Sequence, residues 1–370
     1  MIGIIGAGQL GRMLAMAAYP LGERVRVLDP SAESPAGHLA ELVVGPYDDA
    51  AALAKLAAGC EVVTYEFENV PVAAATQLQQ RIAVYPPPQA LEASQDRVTE
   101  KSFLNQQGIA TAPWAAVSSR EELAAAIARI GLPGVLKTRR LGYDGKGQAV
   151  IRDQAGADAA WAALGKQPLI YEGFVTFDRE VSCLAVRARD GQVACYPLIE
   201  NWHHEGILRL SIAPAPGLTA AVQRLAEDYA RRVLGALGYV GLLTIEFFQV
   251  GDTLVANEMA PRVHNSGHWS IEGAACSQFE NHIRAITGRP LGATTVNGAA
   301  AMLNLIGDFP DLTAVLRQPG VHLHHYGKSP RAGRKIGHLT VVAPDHAELY
   351  RRITALRAAT GLAKQPAWPC

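Results

Sequence analysis

Four short apolar runs of strand type alternate with three helical patterns in the first 85 residues, and few folds tolerate that rhythm. The runs cover residues 2–5, 25–28, 42–44 and 62–64, with helical patterns at 9–19, 48–58 and 72–80 between them. Such alternation requires a parallel sheet with crossover helices. Pro86-Pro87-Pro88 closes the unit, because three prolines extend neither element.

Beyond the prolines the pattern changes. A helix is expected over 94–107, with Ser94 as its cap and Gly108 as its stop. A helix at 120–130 and strands at 134–138, 149–151, 169–172, 180–189 and 193–197 follow, then a long helix over 219–237. Strands that pair directly beside separate helices read as α+β. A third section beyond Pro290 carries strands near 299–305, 320–326 and 338–342 and a helix over 345–359. The expected partition is 1–93, 94–295 and 296–370, α/β first and α+β after.

Lys plus Arg and Asp plus Glu are equal at 34 each, which argues against a basic nucleic-acid face. No apolar stretch reaches membrane-spanning length, and with Met1 leading directly into Ile2-Gly3-Ile4-Ile5 no secretory signal is expected. Five cysteines, at 60, 183, 195, 276 and 370, are odd in number and lack a CxxC spacing. Reduced thiols in a cytoplasmic enzyme or binding protein are the expectation.

The densest chemical signal lies in two β-prone runs, 242–250 and 253–258, around Gly251-Asp252. They form an antiparallel hairpin. A turn centred on Asp252 pairs Val250 with Leu254, Phe248 with Ala256 and Glu246 with Glu258, and puts both carboxylates on one face. Like charges directly opposed need a proton or a cation between them, and oxygen ligands select a hard one such as Mg²⁺. A register slip would instead send one Glu to solvent. The chain continues through Arg262, His264, Asn265, Ser266 and His268, a donor-rich loop suited to an anion. An ordinary polar loop before a helix would read similarly.

Two glycine loops add to this. Gly6-Ala7-Gly8-Gln9-Leu10-Gly11 follows the first strand, and Asp29 ends the second, as in a dinucleotide fold. The glycines and the helix N-terminus license an anion there without specifying NAD. Gly142-Tyr143-Asp144-Gly145-Lys146-Gly147-Gln148 lacks the Walker ending and precedes a strand. It suits a flap that covers polyphosphate with backbone N–H groups and side-chain charge.

Together these segments resemble the ATP-grasp superfamily, and within it the family that carboxylates 5-aminoimidazole ribonucleotide in purine biosynthesis. The match rests also on Glu66-Phe67-Glu68-Asn69-Val70, Asp96-Arg97 with Lys101, Glu200 to His203, Gly206 to Leu208, Asn257 to Trp269 and Gly333 to His338. The resemblance implies a Rossmann-like pre-ATP-grasp domain, a two-lobed ATP-grasp domain and a small C-terminal domain. It further implies ATP, Mg²⁺, bicarbonate and the ribonucleotide as reactants, carboxyphosphate as intermediate, and a homodimer.

Roles follow from the same resemblance. Glu246 and Glu258 would hold Mg²⁺ with Asn257 assisting. Arg97, Lys137 and the 142–148 flap would hold phosphates. Glu172, Gly173, Phe174 and Val175 match an adenine hinge; Glu180 would take the ribose, with His203 nearby. Arg262, His264 and Asn265 would stabilise bicarbonate and carboxyphosphate. Gln9, Leu10, Tyr143, Asp144, Lys328, Arg334 and Lys335 would face the ribonucleotide. His322, His324 and His325 are expected to pack or face solvent, not to bind metal. Competing functions are a formate-dependent glycinamide ribonucleotide transformylase and an NAD-dependent oxidoreductase.

Overall fold

The computed structural model describes residues 1–142, 145–360 and 362. Strands β1 (Ile2–Ile5), β2 (Val25–Asp29), β3 (Glu41–Val44), β4 (Val62–Tyr65) and β5 (Ala83–Val84) form one sheet in the order β3-β2-β1-β4-β5. Every pairing in it is parallel. This is half of a doubly wound fold, as the alternating pattern predicts.

The prolines do not stop the chain from turning helical at once. Pro88 sits at the first position of a helix, Pro88–Ser94, where its missing N–H costs nothing. A second helix, Arg97–Gln106, follows, and its cap is Asp96, not Ser94: the Asp96 carboxylate accepts from Val98 N–H at 3.0 Å.

A four-stranded antiparallel sheet forms a small lobe from β6 (Trp114–Val117), β7 (Gly134–Thr138), β8 (Gln148–Ile151) and β9 (Leu169–Gly173), ordered β6-β9-β7-β8. Helices Arg120–Ile130 and Gln154–Leu164 bury Leu123, Ala126, Ala157 and Ala160 against Val117, Leu136, Ile151 and Leu169.

The largest sheet contains β10 (Arg179–Arg187), β11 (Val193–Cys195), β12 (Ile199–His204), β13 (Ile207–Ala213), β14 (Gly241–Val250), β15 (Thr253–Ala260), β16 (Ala299–Ile306), β17 (Val321–His325) and β18 (Lys335–Ala343). The order is β15-β14-β10-β12-β13-β16-β18-β17, with β11 beside β10. It runs unbroken from the middle of the chain into its last section, because β13 pairs antiparallel with β16. The β12–β13 hairpin has no counterpart among the strands expected from sequence. Beside the buried Leu208, Leu210 and Ile212 it carries one polar buried row: Asn201 Nδ2 donates to Ser182 Oγ at 2.6 Å and Ser211 Oγ to Asn201 Oδ1 at 2.7 Å.

Helix Gln278–Thr287, also absent from the expected elements, ties the N-terminal sheet to the large one. Its His282 accepts from Leu242 N–H at Nδ1 (3.1 Å), which leaves Nε2–H to donate to Thr64 Oγ1 at 2.9 Å.

Candidate active site

The hairpin that brings the acids together is not built as the sequence suggests. Its turn is tighter: Val250 pairs with Thr253, Phe248 with Val255 and Phe247 with Ala256, one residue off the expected register. Glu246 nevertheless opposes Glu258, because the register shifts between Glu246 and Phe247 and leaves Asn257 as an extra residue. A bulge of this kind re-aims consecutive side chains, and here it undoes the one-residue slip.

Burial, and then the facing Glu258, push the Glu246 carboxyl up to about 7. Glu258 is held by Arg97, whose Nη1 lies 3.1 Å from Oε2. Behind them Glu100 accepts Met259 N–H at 2.6 Å. Burial and Glu258 push that acid up to about 8, so it is carried protonated at neutral pH. Asn257 Oδ1 is buried without a hydrogen-bond partner among the described residues. Two carboxylates and an orphaned amide oxygen are hard donors that fit Mg²⁺. No group of three or more His, Cys, Asp or Glu able to hold a metal occurs among the described residues, so such an ion would need phosphate oxygens to complete its shell.

Lys137 and Lys101 converge on the buried Glu172, at 3.0 and 3.3 Å. Burial opposes the Glu172 charge, but Lys137 and then Lys101 hold it below the usual carboxylate range. Lys101 Nζ also donates to Asn257 O at 3.2 Å, which joins the small lobe to the bulge. The Glu172 side chain therefore points into an ion cluster. Of the expected hinge, Gly173 N–H and Phe174 N–H already donate to Pro113 O and Pro133 O. Val175 N–H donates to no carbonyl among the described residues. Glu180 and His203 lie together, with Oε2 2.8 Å from Nδ1. Burial would lower the His203 imidazole, yet Glu180 raises it above its ordinary value.

The flap is anchored at both ends. Arg97 Nη2 donates to Gly142 O at 3.3 Å, Thr138 N–H donates to Gly147 O at 2.8 Å, and Gln148 pairs with Lys137. Gly145, at φ +74°, sits so close to the Glu205–Gly206 turn that a Cβ would meet Glu205 O at 3.0 Å. Tyr143 and Asp144 lie outside the described residues.

A cavity of about 380 Å³ joins the sections: Gln9, Glu68, Arg97, Glu258, Arg262, His264 and Lys335 all line it. Arg262 is ion-paired with Glu68 at 2.5 Å. Ser266 N–H reaches His264 Nδ1 at 3.3 Å, so the ring proton sits on Nε2, which is 3.5 Å from Glu246 Oε1. Burial, then Arg262 and Lys335, push this imidazole well below its ordinary range, so His264 is a neutral donor. Asn265 lines the same cavity. Its amide exchanges hydrogen bonds with Asn304 at 3.1 and 2.7 Å, so it fastens the loop to β16. Lys328 reaches Gln9, whereas Arg334 turns to Ser329 O at 3.3 Å and does not line the cavity. His324 bonds Glu272 at 2.7 Å and stacks on His338, and His325 stacks on Phe309, in keeping with packing roles.

The first glycine loop already holds an anion. The Glu66 carboxylate accepts Gly11 N–H at 2.5 Å and Gly8 N–H as well. Asp29, the expected ribose acid, accepts from Ala7 N–H and Tyr47 OH. A dinucleotide pyrophosphate is thereby excluded from the amides it needs, while Gln9 and Leu10 remain at the cavity wall. Glu66, Glu68, Lys101 and Glu100 received no role from sequence, although three of them sit in the quoted motifs.

Paired hairpin acids, a basic flap and three sheets around one cavity define an ATP-grasp ligase. The ATP-grasp domain family matches residues 102–279, the ribonucleotide synthetase preATP-grasp domain 1–95, and the phosphoribosylaminoimidazole carboxylase C-terminal domain 300–352. The N5-carboxyaminoimidazole ribonucleotide synthase of Pseudomonas aeruginosa is 52% identical over 357 residues, 96% of this chain and 98% of that protein. The crystal structure of the synthetase from Thermus thermophilus superposes with a TM-score of 0.95 at 54% identity and covers all of both chains. That of the Aspergillus clavatus enzyme in complex with ADP and 5-aminoimidazole ribonucleotide gives 0.90 at 33% identity over 97% of each. The chain belongs to the family of N5-carboxyaminoimidazole ribonucleotide synthases.

Proposed function

We infer that the protein carboxylates 5-aminoimidazole ribonucleotide with bicarbonate at the expense of ATP, giving the N5-carboxyamino product, ADP and phosphate. The observation that carries the reading is the bulged Glu246–Glu258 pair opening onto the Arg262–His264 loop.

Bicarbonate is a poor electrophile, so its oxygen must first take the γ-phosphoryl group, which yields carboxyphosphate. The amine then attacks the carboxyl carbon, phosphate leaves with the C–O electron pair, and the amine loses a proton. Arg97, Lys137 and the flap amides bind the phosphates; Val175 N–H and the paired Glu180 and His203 take the base and ribose. Mg²⁺, held by Glu246, Glu258 and Asn257, would neutralise charge between the phosphates. Neutral His264 donates through Nε2, cationic Arg262 stabilises the developing oxyanion, and Asn265 belongs to the same anion-stabilising group. Gln9, Leu10, Lys328 and Lys335 orient the ribonucleotide, and Tyr143, Asp144 and Arg334 belong to the same proposal. No helix of the described residues is long and apolar enough to cross a membrane. A cytoplasmic homodimer completes the reading, and light scattering tests the dimer.

The decisive experiment measures ADP release with the ribonucleotide present, with and without bicarbonate. Bicarbonate-dependent release supports the reading. Formate-dependent release with glycinamide ribonucleotide, or no dependence on bicarbonate, overturns it.

A further inference from the structure

The loop from Pro261 to Trp269 carries the transfer chemistry, yet its only regular piece is one short 3-10 turn, Asn265–Gly267. Something else must hold His264 against Glu246. The fully buried side chain of Gln278 does so in the manner of a strand. His264 N–H donates to Gln278 Oε1 at 2.9 Å, and Gln278 Nε2 donates to His264 O at 2.6 Å. The backbone N–H is an obligate donor, so the amide has one orientation, and both backbone groups of His264 are satisfied. The same Nε2 lies 3.2 Å from His268 Nδ1.

Two further observations converge on this amide. Gly267 lacks a side chain where one would collide with it: a Cβ would lie 2.7 Å from Gln278 Cδ and closer still to Leu184 Cδ2. Ser270 Oγ accepts Gln278 N–H at 3.0 Å and donates to Gly267 O at 2.6 Å, a second strut between the same segments. The support is rigid, because helix Gln278–Thr287 buries Phe279, Ile283 and Ile286 and is pinned through His282 to β4 and β14. A site loop held by side-chain bonds to a packed helix keeps its geometry without regular structure.

We propose that Gln278 is a positioning residue for the carboxyl-transfer step, registering the His264 backbone against Glu246 without touching substrate. The proposal rests on the ligase reading above. Loss of this clamp leaves the nucleotide site intact, because Arg97, Lys137 and the flap hang on other elements. Carboxyphosphate still forms, but with His264 displaced it meets water before the amine, returning bicarbonate and phosphate. ATP consumption then outruns ribonucleotide carboxylation.

The test compares wild type with Gln278→Met, which keeps length but makes no hydrogen bond, Gln278→Glu, which keeps only the acceptor, and Gly267→Ala, which displaces the amide from outside. ADP formed and ribonucleotide consumed are measured together, beside ADP affinity by calorimetry. Wild type must first show bicarbonate-dependent turnover, and its failure there is failure of the ligase reading. The expected result is a fall of coupled kcat on the order of 10- to 100-fold, as for a displaced catalytic group, with ADP affinity retained and a rising ratio of ADP to product. Wild-type stoichiometry in Gln278→Met and Gly267→Ala, or an equal loss of ADP affinity, overturns it. Should Gln278→Met not fold, Gln278→Glu and Gly267→Ala decide by the same ratio.

Discussion

Replacing Glu246 by Gln should stabilise the metal-free protein while abolishing its chemistry. The carboxyl is raised from 4.5 to about 7 by burial and then by Glu258. Its folded-state pKa therefore exceeds the unfolded one, and the folded protein holds a proton that the unfolded chain releases. Stability is fully present below about pH 4.5 and falls as pH rises toward 7, where the charged form must be held without compensation. About 2.5 units at 1.36 kcal/mol each gives about 3 kcal/mol as an upper figure, and the sharing of protons with Glu258 reduces it. Gln keeps the shape and the acceptor that faces His264, and removes the charge. At pH 8 in EDTA the variant should melt a few degrees above wild type, and the two should converge near pH 4.5. Adding Mg²⁺ and ADP should reverse the order, because only wild type gains by binding. Thermal melts from pH 4.5 to 8, with and without Mg²⁺-ADP, read all of this. A variant that melts at or below wild type at pH 8 in EDTA, or that keeps the wild-type pH slope, would refute the argument.

Four other outcomes follow from the geometry. Glu258→Ala should abolish ADP release while leaving circular dichroism unchanged; wild-type rates would show the metal assignment to be wrong. The Lys328 ammonium is pushed down to about 8 by burial and then by Arg334, so the KM for the ribonucleotide should rise as pH passes 8, and Lys328→Arg should flatten that rise. His282 is pushed down to about 3 by burial, so the unfolded chain binds its proton first and stability falls as pH drops from 6.5 toward 3. His282→Gln should lower the urea midpoint at pH 7 yet flatten its acid limb, and an unchanged limb would count against a neutral His282. Glu66→Gln turns an amide donor toward Gly8 or Gly11 N–H and should cost about 1–3 kcal/mol by melting, with ADP binding retained.

The parallel sheet was legible because strands buried on both faces cannot conceal their apolar runs, and crossover helices must separate them. The β12–β13 hairpin was not expected, although Leu208, Leu210 and Ile212 alternate as buried apolar residues on β13; its other buried row, Asn201 and Ser211 bonded with Ser182, carries no apolar signal. The site divides along the same line. Acids close in sequence and joined by a two-residue turn could be paired from spacing, and Glu246 was placed opposite Glu258 correctly although the intervening register was not. Spacing counts residues and cannot see a bulge; an assumed longer turn and an unseen extra Asn257 cancelled. Residues whose partners are set by topology gave no such purchase. Glu66 caps a loop 55 residues away, Lys101 meets Asn257 across 156 residues, and nothing local in Gln278 or His264 announces their pairing. These long-range contacts fasten the segments that line the cavity, whereas the residues proposed to react lie in dense local motifs. A short sequence pattern thus points to the chemistry, and the contacts that fasten the loop bearing His264 become visible only after the sheets have assembled.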